Sequence, residues 1–253
     1  MDAIEGDLPS LLRRRAPKKE SFAYAVDWFV QRRVNPGFDR RAGVYQDAWK
    51  GLDNQMFGLG QSKFSSSAWK AEFYRELAAR PLCHMEKLDA NNERRGETCN
   101  ACGRSNHPST HMAIFSGRPY DRTTLEELPQ DDDGDEDDEE DEAATDDGQG
   151  NPLKPERHEW VLGAVCANNA EQAHRLRHWL WALGSFVDGE LRKEGHLGGK
   201  YADRILWPAW KSEARAETIM EAWAAKGGLI DSLYGEFKQL REKAEVTKTT
   251  QRR

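Results

Sequence analysis

Cys99 and Cys102, in the run Cys99-Asn100-Ala101-Cys102-Gly103-Arg104, are the residues whose types and spacing most directly imply chemistry. Two thiols three positions apart can aim both sulfurs at one tetrahedral metal ion, and the glycine that follows lets the backbone turn tightly around it. The chain has four cysteines, Cys83, Cys99, Cys102 and Cys166. So few cysteines fit a reducing compartment, where such a pair means zinc or redox chemistry and not a disulfide framework. A thioredoxin-like pair would open a helix within a βαβ pattern. Here the pair follows the polar stretch from Asn91 to Thr98 and precedes another loop. Structural Zn2+ is therefore the expected cofactor.

Two further ligands must come from Cys83, His84, His107, His111, Cys166, His174 and His178. His174 and His178 stand four apart on an expected helix, on one face and about 6 Å apart at Cβ. A thiol pair, two strands and a helix bearing HxxxH follow the ligand logic of a Cys2His2 site, although 71 residues intervene between Cys102 and His174. The expected set is thus Cys99, Cys102, His174 and His178. Cys166, at the close of an expected strand, is the alternative ligand in place of one histidine. On a continuous helix it would lie about 12 Å from His174 at a rise of ~1.5 Å per residue. Sharing an ion then requires the helix to start later, near Asn169. His107, five residues beyond Cys102, ranks third.

The elements that must position these groups read as mostly α with a small β-hairpin, an α+β class with a helical scaffold around a zinc-bound hairpin–helix unit. Phe22, Val26, Phe29 and Val30 share a helical face that starts at Ser21 and stops at Pro36-Gly37. A second helix is expected from Ala42 to Phe57, broken by Gly58 and Gly60. A third carries Trp69, Phe73 and Leu77 behind a serine cap at Ser65–Ser67, with Pro81 beyond its end. Met112 to Gly117 alternates as a strand, and Trp160 to Val165 reads as its partner. A long helix then runs from Asn168 or Asn169 through Val187, and helices near Ser212–Ala225 and Ile230–Ala244 finish the chain.

At 253 residues, 38% hydrophobic and 32% charged, the composition suits a folded protein, and the absence of any 18-residue apolar run argues against a membrane span or a secretory leader. The expected setting is cytoplasmic or nuclear. The formal charge of −7 hides a strong asymmetry. Thirteen acidic side chains lie between Asp131 and Asp147; without them 31 acidic residues face 37 basic ones, a net charge of +6. The expected organisation is a disordered basic lead over 1–19, one zinc-stabilised domain over 20–245 interrupted by a disordered acidic loop at 130–152, and a disordered tail over 246–253.

The ordered set Phe22-x-x-x-Val26-Asp27-Trp28, Ser62 to Trp69, Arg80-Pro81-Leu82-Cys83, Cys99-x-x-Cys102-Gly103-Arg104, Ser116 to Asp121, and Gly163-x-x-Cys166 followed by His174-x-Leu176-x-His178-Trp179 resembles the domain-of-unknown-function family 4211. That domain occurs in fungal nuclear proteins and near the C-termini of two vertebrate chromatin-associated proteins, one glutamine-and-serine-rich and one proline-rich. The resemblance implies a nuclear, chromatin-linked setting and no established enzymatic activity.

The residues add two ways of meeting partners. The acidic loop can contact histones or other basic nuclear proteins, since its carboxylates create a strong local field. Alternatively Arg13, Arg14, Arg15, Lys18, Lys19, Arg32, Arg33, Arg40 and Arg41 can neutralise phosphates in a direct nucleic-acid interface. Catalysis is disfavoured: a two-cysteine, two-histidine site is closed to water, and no P-loop, GxSxG, HExxH or GxGxxG is present. No catalytic residue, small-molecule substrate or membrane partner is expected.

Overall fold

Aromatic and aliphatic side chains recurring every three or four residues set the helices of this chain, and the change to alternation after Pro108 sets its sheet. The computed structural model describes residues 18–129, 146–198 and 207–247. Among these are seven α-helices and one three-stranded sheet, the expected α+β class. The helices are α1 (Lys18–Val34), α2 (Gly43–Leu59), α3 (Ala71–Ala79), α4 (Ala164–Arg177), α5 (Trp179–Lys193), α6 (Ala209–Ala224) and α7 (Leu229–Val246). The strands are β1 (Leu82–Lys87), β2 (Ser109–Ser116) and β3 (Glu159–Gly163), antiparallel in the order β1-β2-β3. Arg13 to Arg15, most of the acidic run and the extreme tail lie outside the described residues. No described helix is long and apolar enough to cross a membrane.

The domain drawn over 20–245 comprises two compact units, one from Met1–Asp53 with Val187–Glu236, the other from Asn54–Phe186 with Phe237–Arg253. In the first, α1 packs on α6. Phe22, Val26, Val30 and Ile219 are buried, and the Trp28 ring lies 5.9 Å from Trp49. Three of the basic residues of this unit are engaged within it. Lys19 pairs with Asp231 at 2.6 Å, Arg32 lies over the Trp28 ring and Arg33 binds both oxygens of Asp188. Arg40 and Arg41 sit on an exposed turn.

The second unit holds the cysteines. Phe73 of α3 is its aromatic hub, 5.3 Å from Trp69, 5.7 Å from Phe115 of β2 and 5.3 Å from Trp160 of β3. Helix α4 packs over all three strands and against α3. It also packs on a π-helical turn, Gly60–Phe64, that prolongs α2 where the glycines were expected to break it. Gly60 lies against Leu176 of α4 at ordinary van der Waals distance.

The elements differ from the sequence reading in three places, one of them the division of the expected long helix into α4 and α5 at His178. Strand β1 joins the expected pair, with Leu82 opposite Ser116 and Lys87 opposite His111. Helix α4 begins at Ala164, not Asn168 or Asn169, because β3 ends at Gly163 and the chain turns directly into the helix.

A buried ion pair ties α3 to the segment that follows the acidic run. Arg80 is 1% exposed; it bonds Glu76 at 3.1 Å, Glu156 at 3.2 Å, and the carbonyls of Lys154 at 2.8 Å and Gly117 at 3.3 Å. The other Glu76 oxygen accepts the Lys154 amide. Asp147, the last acidic residue of the run, is part of this clasp: it accepts from Asn151 and pairs with Arg75 at 3.7 Å. Arg80→Ala should therefore cost about 3–5 kcal/mol, because it strands the Glu76 carboxyl in a buried site. Urea denaturation should show that Arg80→Ala with Glu76→Leu costs less than the sum of the single changes.

Candidate metal centre

The loop between β1 and β2 bends the thiol pair back onto β3. Gly103, with φ +65°, closes the turn, and its amide donates to the Cys99 carbonyl at 2.8 Å. Asn100 docks the turn on the free edge of β3: its amide donates to the Val161 carbonyl, and its side-chain oxygen accepts the Val161 amide, both at 2.8 Å. The Ala101 carbonyl accepts the Lys70 amide at 2.7 Å, at the entry to α3. Cys99 and Ala101 are consequently fully buried.

Cys166, in the first turn of α4, reaches the same place. The sulfurs of Cys99, Cys102 and Cys166 all lie within 4.8 Å of one another. Sulfurs bound at ~2.3 Å to one tetrahedral ion stand about 3.8 Å apart, so the three can hold a metal with little movement. The surroundings of Cys99 favour its thiolate. The Cys166 thiol donates to it, the amides of Gly163, Cys102 and Ala101 support it, and together they depress its pKa against the effect of burial. Cys166 is pushed up correspondingly, as the partner that keeps the proton beside a charged neighbour. The Trp69 indole N–H, on the wall of the same groove as Cys102 and Cys166, is buried without a hydrogen-bond partner.

His174 and His178 are not brought to the cysteines. Both are buried at the far end of α4, with ring centroids 4.4 Å apart. Their Nε2–H groups donate to the carbonyls of Arg80 and Leu77, each at 2.9 Å, and Arg177 donates to Ala78 at 2.8 Å. Tyr120 donates to His178 Nδ1 at 2.8 Å. These carbonyls belong to the C-terminal end of α3, where a helix leaves its last acceptors unpaired. The expected two-histidine half of the site is thus a capping ladder, and the alternative, Cys166, takes its place among the sulfurs. The remaining candidates also lie elsewhere. Cys83 is pushed up to about 12 by burial and then by Glu171, His84 is exposed near Glu86, and His111 contacts Thr110. His107 alone among the histidines approaches the cluster, its Nδ1 3.5 Å from Cys102 Sγ.

The ladder requires neutral imidazoles. Burial lowers His174 to about 4 and His178 well below the usual histidine range. Both folded values lie below the unfolded ~6.5, so their stabilisation is complete above that pH and is lost as pH falls towards the folded values. His178→Ala should lower the melting temperature at pH 7.5 and flatten the acid limb of stability between about pH 6.5 and 4. Its metal content, measured by elemental analysis, should be unchanged.

Residues 6–125 match the family model described as Domain of unknown function (DUF4211). An uncharacterized protein of Schizosaccharomyces pombe is 26% identical over 175 residues, 69% of this chain, and the chain spans 25% of that relative's length. No solved structure matches. The matched segment includes Cys99, Cys102 and His107 and stops short of Cys166. Residues 6–125 of this chain therefore carry the likeness to the domain of unknown function 4211 that their ordered motifs indicate.

Proposed function

We propose that the chain is a non-enzymatic, nuclear, chromatin-associated protein-interaction module stabilised by structural Zn2+. The observation that carries the zinc assignment is the convergence of three sulfurs, two of them on buried residues, within 4.8 Å. Three thiolates favour a soft or borderline ion such as zinc over magnesium or calcium. The metal would join the loop after β1, the end of β3 and the start of α4, so its binding free energy becomes folding free energy. The nuclear, chromatin-linked part of the reading is supported by the family resemblance. The partners it implies are nuclear proteins, with histones meeting the acidic run. A direct nucleic-acid role for the basic N-terminal region is weakened by the pairing of Lys19 with Asp231 and Arg33 with Asp188.

Purified protein should contain one zinc per chain by elemental mass spectrometry. Cys99→Ser and Cys166→Ser should each lose it and melt at lower temperature, while Cys83→Ser keeps it. Zinc-free wild-type protein with an unaltered melting curve would refute the assignment.

Deleting 131–145, while keeping the Asp147 clasp, should leave the melting temperature unchanged. It should abolish retention on immobilised histones at physiological salt. Equal retention of both forms would remove the acidic run from the interaction, and steep salt-dependent binding to DNA by the deleted form would favour the nucleic-acid reading.

A further inference from the structure

Three sulfurs fill three corners of a tetrahedron, and the nature of the fourth decides whether the metal is sealed or open to reactants. Cys102 and Cys166 form part of the wall of a groove of about 1230 Å³ that also presents Trp69, Arg104, Asn106 and His107. An open corner there would give a Lewis-acidic centre. A side-chain ligand would close it.

His107 approaches the fourth corner from the Cys102 side. Nitrogen and sulfur bound to one tetrahedral zinc at ~2.0–2.1 and ~2.3 Å stand about 3.5 Å apart. His107 Nδ1 lies 3.5 Å from Cys102 Sγ, the separation of two neighbouring ligands on one ion. The chain brings it there with two turns: the Gly103 amide bonds the Cys99 carbonyl, and the His107 amide bonds the Arg104 carbonyl at 3.1 Å. The His107 carbonyl then lies against Gly163, where a Cβ would be only 3.2 Å away. The imidazole is thereby placed on the same β3–α4 junction that presents Cys166. Its nitrogens are not within 4.8 Å of all three sulfurs, so ligation draws the ring inward over the short loop 103–106.

We infer that His107 supplies the fourth ligand through Nδ1, making a closed Cys99–Cys102–His107–Cys166 zinc site. This rests on the zinc reading above and deepens it. Ligation through Nδ1 places the imidazole proton on Nε2. With all four corners taken by side chains, no position remains for an activated water, and the metal serves to hold the loop on the helix.

X-ray absorption of the zinc-loaded full chain tests this. The wild type should show three sulfurs and one imidazole around zinc. His107→Ala should lose the imidazole scattering and bind zinc at least about tenfold more weakly. His107→Cys should restore affinity with four sulfurs, which separates a lost ligand from a misfolded loop. Imidazole scattering that survives in His107→Ala, or a wild-type shell of three sulfurs and one oxygen, would overturn the assignment of His107 while leaving the three-cysteine zinc site standing. A wild type that binds no zinc would overturn both.

Discussion

Strand β3 ends at Gly163 and α4 begins at Ala164, and this direct junction distributes the chemistry of the unit that holds the cysteines. At ~1.5 Å per residue, Cys166 lies about 12 Å from His174 and about 18 Å from His178 along the helix. One end of α4 can therefore serve the thiol knuckle while the other serves the end of α3, and the two cannot share an ion. Gly163 makes the junction possible. A Cβ there would stand 3.2 Å from the His107 carbonyl and 3.3 Å from that of Pro108. A larger residue would require the His107–Pro108 backbone to give by a few tenths of an ångström.

The two ends of α4 meet different electrostatic needs with the same economy of charge. The last carbonyls of α3 carry partial negative charge and need donors. Neutral imidazoles provide them without the cost of burying a cation, and His174 and His178 are both buried. Arg177 serves the Ala78 carbonyl with a guanidinium that also lies 5.6 Å from the Phe57 ring. Arg80 is the exception, a guanidinium buried outright. It is tolerated because two carboxylates and two carbonyls receive its protons.

The residues that identify the knuckle were legible because their chemistry is local: Cys99, Cys102 and Gly103 make one turn, and spacing alone describes it. The helical faces were legible for the same reason, with Phe22, Val26, Phe73 and Leu77 all buried. The rest depended on boundaries. Ala164-Val165-Cys166 continues the apolar run of β3, so it read as strand, and Asn168-Asn169 read as a cap. Moving that boundary by four residues changes which side chains can reach the knuckle. Strand β1 was missed because Leu82–Lys87 buries no residue fully on either face and so lacks apolar alternation. The HxxxH spacing was seen but is common to metal ligands and capping donors. Arg177, three positions after His174 and next to His178, was the available hint: a donor at i, i+3 and i+4 makes a ladder, whereas a metal site gains nothing from a cation there.

Charge also accounts for what surrounds the sulfurs. With zinc bound by three thiolates and a neutral imidazole, as inferred, the site carries a net charge of −1 in a largely buried setting. Such a charge is stable only if donors replace the water it has lost. The amides of Gly163, Ala101 and Cys102 face Cys99. These donors belong to the knuckle itself and to the end of β3, which the metal would tie to the start of α4. The contacts that soften the thiolate charge thus lie in the segments that the ligands hold together.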